Sequence, residues 1–127
     1  MLKRILASAA VAALFAIPLQ AQAKADQKAG QGKEVTITGQ VVDMGCYAKG
    51  QSGEGHKMCA QACAKAGVPL GILGSDGTLY LPITGKPADP ANPQLAEHAE
   101  GKVKVTGVHR VVNGLHVLEL KSVTAAS

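Results

Sequence analysis

The chain has 127 residues, which is enough for one small domain, and it contains no Trp, one Phe and two Tyr. Its 13 basic and 9 acidic residues give a formal net charge of +4. So weak a positive charge, with so few aromatic side chains, argues against a surface for nucleic acid or anionic membrane.

The N-terminal segment is typical of a secretory signal peptide. Lys3 and Arg4 precede an apolar run over residues 5–19, and Ala21-Gln22-Ala23 matches the small-residue cleavage pattern. An uncleaved anchor is the alternative, but the run is short for a membrane span. We therefore predict cleavage after Ala23 and a periplasmic or secreted protein with no remaining anchor. The predicted division is a signal peptide over 1–23, a flexible leader over 24–33 and a single OB-like domain over 34–124.

Five segments are rich in apolar and β-branched residues, most of them alternating with polar ones, and so predict β-strands. Gly39 lies inside the first segment and predicts a bulge or a sharp bend. A similar pattern occurs around Gly107, which indicates two bent strands of a small, strongly coiled barrel. Asn113-Gly114 predicts a two-residue hairpin turn between the last two strands. The predicted strands are residues 35–41, 70–73, 78–83, 102–112 and 115–123.

Two short helices are predicted between these strands. The first runs from His56 to Ala66 and ends at Gly67. The second begins with Asn92 as its N-cap, followed by a proline, and ends before Gly101. Five strands with a helix between the third and the fourth are typical of the OB-fold barrel. We therefore predict a mainly β, five-stranded OB-like barrel with the first helix inserted after strand 1. An open, sandwich-like α+β domain is the alternative.

The three cysteines lie in one short stretch together with His56, one of four histidines. On a helix, His56, Cys59 and Cys63 would share an arc of about 60°. Cys46 follows the first strand, and a glycine-rich loop lets it fold back towards that face. Three thiolates and an imidazole are a common ligand set for Zn(II), and Cu(I) accepts the same thiolates. The spacing predicts a Cys3His site for Zn(II) or Cu(I), used for metal handling or as a structural ion.

A disulfide is the alternative state of these cysteines. An oxidising compartment permits one, and an odd count leaves one thiol unpaired. Cys59 and Cys63 are one helical turn apart, with Cβ atoms ~5–6 Å apart, whereas a relaxed bridge needs ~3.5–4.5 Å. A bridge from Cys46 to either of them is feasible and would stabilise the fold by roughly 3 kcal/mol. The protein would then be a disulfide-stabilised domain that binds a ligand or partner without a metal.

Four neighbouring residues are candidates for the surroundings of the site. Asp43 either orients His56 or caps a turn. Tyr47 either borders the site or packs on the barrel. Met44 and Met58 either pack against the fold or add thioether ligands to Cu(I).

Other functional classes find less support in the sequence. His109 and His116 flank the hairpin turn, but neither has a ligand at matching spacing, so we do not expect a second metal site there. OB barrels often bind oligonucleotides or oligosaccharides, but Tyr47 and Tyr80 are the only aromatic residues after the signal segment. A redox or nucleophilic thiol stays open, although no Cys-x-x-Cys motif occurs. Hydrolase, phosphate-loop and dinucleotide motifs are absent from the sequence, so an enzyme is not favoured.

Several motifs resemble those of a group of small exported bacterial proteins. The most specific are Asp43-x-x-Cys46-Tyr47, Gly53-x-x-His56-x-x-Cys59-Ala60-x-x-Cys63 and Gly67-x-Pro69. The barrel segments that match are Asp76-Gly77-Thr78-Leu79-Tyr80-Leu81 and Gly101-Lys102-Val103-Lys104-Val105-Thr106-Gly107. The resemblance spans roughly residues 35–123. It implies an exported OB-like domain in which the Cys and His residues of the second motif act together with Cys46.

Overall fold

The protein is described by a computed structural model over residues 30–127, so the predicted signal peptide and most of the predicted leader lie outside the described residues. The strands close into a barrel in the order β1-β2-β3-β5-β4. Their bounds are β1 (Lys33–Asp43), β2 (Leu70–Gly74), β3 (Leu79–Ile83), β4 (Lys102–Val112) and β5 (Leu115–Ala125). This closed five-stranded barrel confirms the predicted OB-like fold.

β1 joins the two halves of the barrel. Its residues 33–40 pair antiparallel with β4, and its residues 39–43 pair antiparallel with β2. Gly39 takes part in both ladders, and a Cβ there would lie 2.5 Å from the carbonyl oxygen of Leu73. The close approach of the strands therefore requires glycine. The register runs unbroken through Gly39, however, and the bulge lies opposite Thr106 and Gly107, where Lys121 is the extra residue of β5.

The barrel closes where β3 pairs parallel with β5. The hairpin between β4 and β5 turns at Asn113 and Gly114, which have φ of 49° and 81°. Two successive positive φ values are those of the turn that matches the twist of a hairpin, and Asn-Gly is the sequence that favours it.

Three short helices and two 3₁₀ turns connect the strands. Between β1 and β2 lie α1 (Met44–Tyr47), a 3₁₀ turn (Glu54–His56) and α2 (Lys57–Lys65). Between β3 and β4 lie α3 (Asn92–Leu95) and a second 3₁₀ turn (Ala96–His98). None of the helices within residues 30–127 has the length and apolar character needed to cross a membrane.

The predicted capping role of Asn92 is wrong. Ala91 is the N-cap of α3, and no side chain caps that helix. The Asn92 amide instead accepts from the backbone N–H of Leu70 (3.0 Å) and donates to the carbonyls of Ala64 (3.1 Å) and Val68 (2.8 Å). It satisfies three backbone groups at the end of α2 and the start of β2, which fastens α2 to the barrel.

The core fills the inside of the barrel with aliphatic side chains and extends to the underside of α2. Ala60 and Ala64 are the buried residues of α2, and their small size lets the helix lie close to the strands. Cys59 and Cys63 occupy the neighbouring stripe of the same helix, at the rim of the core. The largest fully buried aliphatic residues are Leu70, Ile72, Leu95, Leu118, Val41, Val42, Val103 and Val105.

Candidate metal centre

The three cysteine sulfurs form one cluster, in which all of them lie within 4.8 Å of one another. Cys46 comes from α1, immediately after β1, and Cys59 and Cys63 come from successive turns of α2. All three are free thiols. Thiolates bound to one ion with bonds of about 2.3 Å are separated by roughly 3.8–4.0 Å. A contraction of less than about 1 Å would therefore bring them to ligand geometry.

Asp43 places the Cys46 arm of this cluster. The backbone N–H of Cys46 donates to Asp43 Oδ1 over 2.9 Å, so the carboxylate caps α1. The side chain is fully buried at the end of β1. Its second oxygen, Oδ2, is buried without a partner at hydrogen-bond geometry among the described residues. A buried carboxylate oxygen with spare accepting capacity therefore lies beside the thiols.

Asp43 and the neighbouring thiols shift one another's pKa. Interaction with the Asp43 carboxylate, together with burial, raises the pKa of Cys63 to about 12. Burial and the charge of Asp43 raise the pKa of Cys46. Burial of Asp43 acts to raise its own pKa, but the Cys46 N–H, the Cys63 thiol and the charge of His56 together lower it.

These pKa directions bear on what the thiols can do. Cys46 and Cys63 are protonated at neutral pH, so a bound metal ion must displace their protons. A nucleophilic or redox-active cysteine needs the opposite, a lowered pKa that provides thiolate. The raised pKa values of Cys46 and Cys63 therefore argue against a nucleophilic role for these two thiols.

His56 lies outside the cluster of mutually close ligand atoms, which within residues 30–127 consists of the three cysteines. The reason is local. α2 begins at Lys57, and His56 is its N-cap with φ of −100° and ψ of −3°, so the helical projection of the sequence does not extend to it. Its Nε2 atom is nevertheless buried, with no hydrogen-bond partner in the described part of the chain. An imidazole nitrogen in that state can bind a metal ion through its lone pair or, if it is protonated, donate a hydrogen bond.

Glu100 is a buried residue of the site that sequence reasoning did not identify. It is 4% exposed and has φ of 60°, in the left-handed region. Its carboxylate accepts from the backbone N–H groups of Asp43 (3.3 Å) and Gly53 (2.6 Å) and from the side-chain amide of Gln40 (3.2 Å).

These bonds tie together the two arms that carry the cysteines. Asp43 leads directly into α1 and Cys46. Gly53 precedes the 3₁₀ turn that leads into α2, and the N–H of His56 donates to its carbonyl over 2.8 Å. Because both arms are anchored to one carboxylate, Glu100 fixes the position of α1 relative to the start of α2.

The remaining candidate residues lie around the site without joining the cluster. Met44 points towards β2, where its sulfur occupies the space beside Gly71. Tyr47 is half-buried in α1. Met58 is 84% exposed. The sulfur of Met44 therefore lies against β2, and the side chain of Met58 lies in solvent.

The thiol cluster opens to solvent on one side. Cys59 is exposed, whereas Cys46 and Cys63 are half-buried. A separate groove of about 590 Å³ lies at the far end of α2 and is lined mainly by alanines and prolines, including Pro69, Pro82, Pro90 and Pro93. It lies away from the three thiols and offers little polar chemistry, so the thiol cluster is the stronger candidate site.

His109 and His116 were expected to have no matching ligand, and this expectation is wrong. Their imidazole nitrogens, Nε2 and Nδ1 respectively, are 3.0 Å apart. A signal for this pair was present in the sequence. A two-residue turn at 113–114 sets Val111 opposite His116, and residue 109 lies on the same face as residue 111.

No protein-family model matches the chain, and no curated protein or solved structure is significantly similar to it. The geometry of the site and the chemistry of its side chains are therefore what bear on function.

Proposed function

We propose that this protein is an exported metal-binding protein that holds one Zn(II) or Cu(I) ion between Cys46, Cys59 and Cys63. The observation that carries the proposal is the approach of all three sulfurs to within 4.8 Å of one another. Soft thiolate donors select Cu(I) or Zn(II) over hard cations. The cluster contains every cysteine of the chain.

His56 is the fourth ligand in the Zn(II) form of this proposal. Tetrahedral Zn(II) takes four ligands, and the buried, unpartnered Nε2 of His56 is an available donor. The charge of His56 also reaches Asp43, beside the thiols, and is the smallest of the influences that lower the pKa of that carboxyl. Cu(I) can be held by the three thiolates alone. The two metals therefore predict different dependence on His56.

Metal handling is favoured over a purely structural ion because of the exposure of Cys59. An accessible ligand permits exchange of the ion with another molecule, even where four protein ligands hold it as in a structural Zn(II) site. The hydrogen bonds of Glu100 and Asn92 hold α2 and its preceding turn on the barrel through contacts between protein groups.

Metal binding is tested on the reduced mature protein by elemental analysis after exposure to micromolar Zn(II) or Cu(I), and by Co(II) absorption, which reports thiolate coordination. The expected result is one equivalent of ion per chain. Cys63→Ser should lower the affinity at least about tenfold, since second-shell changes already cost 10–100-fold. Met58→Leu is the matched control, because this exposed sulfur lies outside the cluster. No uptake by the reduced wild-type protein would refute the proposal, and unchanged affinity in Cys63→Ser would refute the ligand set.

His56→Gln separates the two metals. Loss of Zn(II) affinity with retained Cu(I) affinity is expected if His56 is the fourth Zn(II) ligand. Thermal unfolding with and without the ion separates the two roles. A metal-free protein that keeps its cooperative transition supports metal handling, whereas one that unfolds indicates a structural ion.

Export is tested separately by the mass of the mature protein. Cleavage after Ala23 and recovery in the periplasmic fraction are expected from the Ala-x-Ala pattern. A full-length protein retained in the cytoplasm would contradict this part of the proposal and would leave the metal site unaffected.

A further inference from the structure

Two histidines form a second cluster at the opposite end of the barrel from the thiols. His109 lies next to Lys33 at the N-terminal end of β1, whereas Asp43 and the thiols lie at its C-terminal end. An 11-residue strand spans roughly 30 Å at about 3.3 Å per residue. The two clusters are therefore structurally independent.

The hairpin register brings the two imidazoles together. His109 is opposite Leu118 and His116 is opposite Val111, so the two histidines are diagonal neighbours on one face of β4 and β5. The parallel pairing of β3 with β5 sets Tyr80 directly opposite His116. The ring of Tyr80 meets both imidazoles edge to face, with centroid distances of 5.3 Å to His109 and 5.8 Å to His116.

The rings themselves lie edge to edge. Their nitrogens are 3.0 Å apart, their centroids 5.1 Å apart, and their planes differ by 6°. The short nitrogen separation and the nearly parallel planes show that the two ring edges face each other, joined by an N–H···N hydrogen bond. Both histidines are half-buried, so the pair is accessible from solvent.

We infer that His109 and His116 form a second metal site, which takes a borderline divalent ion of the Ni(II), Cu(II) and Zn(II) class. Imidazole is a favoured donor for these ions. Two nitrogens bound at about 2.0–2.1 Å with an angle near 90° are about 2.9 Å apart, close to the separation already present. The inference stands independently of the proposed thiol site.

Binding exchanges one hydrogen bond for two metal–nitrogen bonds. The bridging N–H proton moves to the other nitrogen of the same ring, which leaves both rings neutral and releases no proton. Each ring must also turn about its Cβ–Cγ bond so that the two lone pairs meet at the ion. Water completes the coordination on the exposed side. Asp76 lies close enough for its pKa, lowered mainly by hydrogen bonds from Thr78, to be lowered slightly further by the charge of His116.

The test uses Ni(II), a paramagnetic ion that does not oxidise thiols, and the reduced, ¹⁵N-labelled mature protein. Ni(II) broadens the amide signals of residues near it, so one titration reports each end of the barrel separately. We expect signals of the β4–β5 hairpin around His109 and His116 to broaden. Broadening, or its absence, among the amide signals near the thiols reports only on the thiol site. The two proposals can therefore be refuted independently of each other.

His109→Gln is the decisive variant. The Gln amide can donate from its Nε2 or accept at its Oε1, so a hydrogen bond to Nδ1 of His116 survives whichever ring is the donor, while the metal ligand is lost. Affinity at the hairpin should fall at least about tenfold. His98→Gln, which changes a histidine outside the pair, should leave it unchanged. If His109→Gln does not fold, His116→Asn replaces it. If neither variant folds, the position of the broadened signals in the wild-type protein decides whether Ni(II) binds at the hairpin.

The inference is overturned if 1 mM Ni(II) leaves the hairpin signals of the wild-type protein sharp. It is equally overturned if folded His109→Gln binds Ni(II) at the hairpin as strongly as the wild-type protein. In either case the pair is a hydrogen-bonded part of the barrel wall with no ligand role.

Discussion

Glu100→Ala is expected to destabilise the protein more than the loss of any exposed carboxylate. The substitution removes the acceptor of three hydrogen bonds, from the N–H groups of Asp43 and Gly53 and from the Gln40 amide. Asp43 is fully buried, so its N–H would be left without a partner. Gly53 and Gln40 are half-buried and can turn to water.

The magnitude follows from these three bonds. A buried donor left unsatisfied costs about 1–3 kcal/mol, and each of the two water-accessible bonds contributes roughly 0.5–1.5 kcal/mol net. Because the solvated donors recover part of their loss, the expected destabilisation is about 2–4 kcal/mol. Alanine also keeps the strained backbone, since φ at this position is 60°. Glycine tolerates that conformation, so Glu100→Gly should be more stable than Glu100→Ala by up to about 1 kcal/mol.

Urea unfolding followed by circular dichroism measures these differences, provided that the m-value is unchanged. Glu97→Ala is the matched control from the same segment. Its side chain is 79% exposed and, within residues 30–127, its carboxylate forms one ion pair, with His98 at 3.5 Å, so a change below about 0.5 kcal/mol is expected. The reasoning is refuted if Glu100→Ala and Glu97→Ala have the same stability. A glycine variant less stable than the alanine variant would refute the role assigned to the backbone conformation.

Three further outcomes are expected. Gly107→Ala should destabilise by about 1–3 kcal/mol in urea unfolding, because its Cβ would overlap a backbone carbonyl of β5, whereas Gly55→Ala, with open space around it, should be nearly neutral. Iodoacetamide at pH 8 should alkylate exposed Cys59 before Cys63, whose pKa is raised to about 12. Asp43→Asn should accelerate the alkylation of Cys63. Equal alkylation rates of Cys59 and Cys63, measured by mass spectrometry, would contradict this expectation. The folded-state pKa of Asp43 lies below 3.8. The ionised carboxylate therefore stabilises the fold above pH 3.8, and this stabilisation is lost as the pH falls below that value. Asp43→Asn should flatten the fall in the free energy of unfolding measured from pH 4 to pH 2.

The barrel was predictable because its signals are local. Apolar and β-branched residues, in most segments alternating with polar ones, defined all five strands, and Asn113-Gly114 fixed the register of the final hairpin. Strand order and a helix between the third and fourth strands were then enough to indicate an OB-like closure. A bulge or a sharp bend was predicted at Gly39, whereas the register shift lies beside Gly107, because a strand glycine signals either a bulge or a close approach of another strand.

The site was predictable only where its residues are close in sequence. Cys59 and Cys63 are one helical turn apart, and their shared face followed from that spacing alone. His56 was assigned to the same face because the start of a helix is the least certain feature of a sequence pattern, and α2 begins one residue later. Glu100 gave no signal, since its partners Asp43 and Gly53 lie 57 and 47 residues earlier.

The position of Glu100 in the chain also determines when the thiols can first meet in a fixed arrangement. A chain that emerges from its N-terminus has completed α1 and α2 before residue 100 exists. Contacts across 57 and 47 residues form late, because the intervening chain must lose its freedom first. Until the anchor forms, the three cysteines belong to a loose segment that oxidants and free metal ions can reach. The length of time during which non-native disulfides can form is therefore set by the rate of barrel closure and not by the reactivity of the thiols.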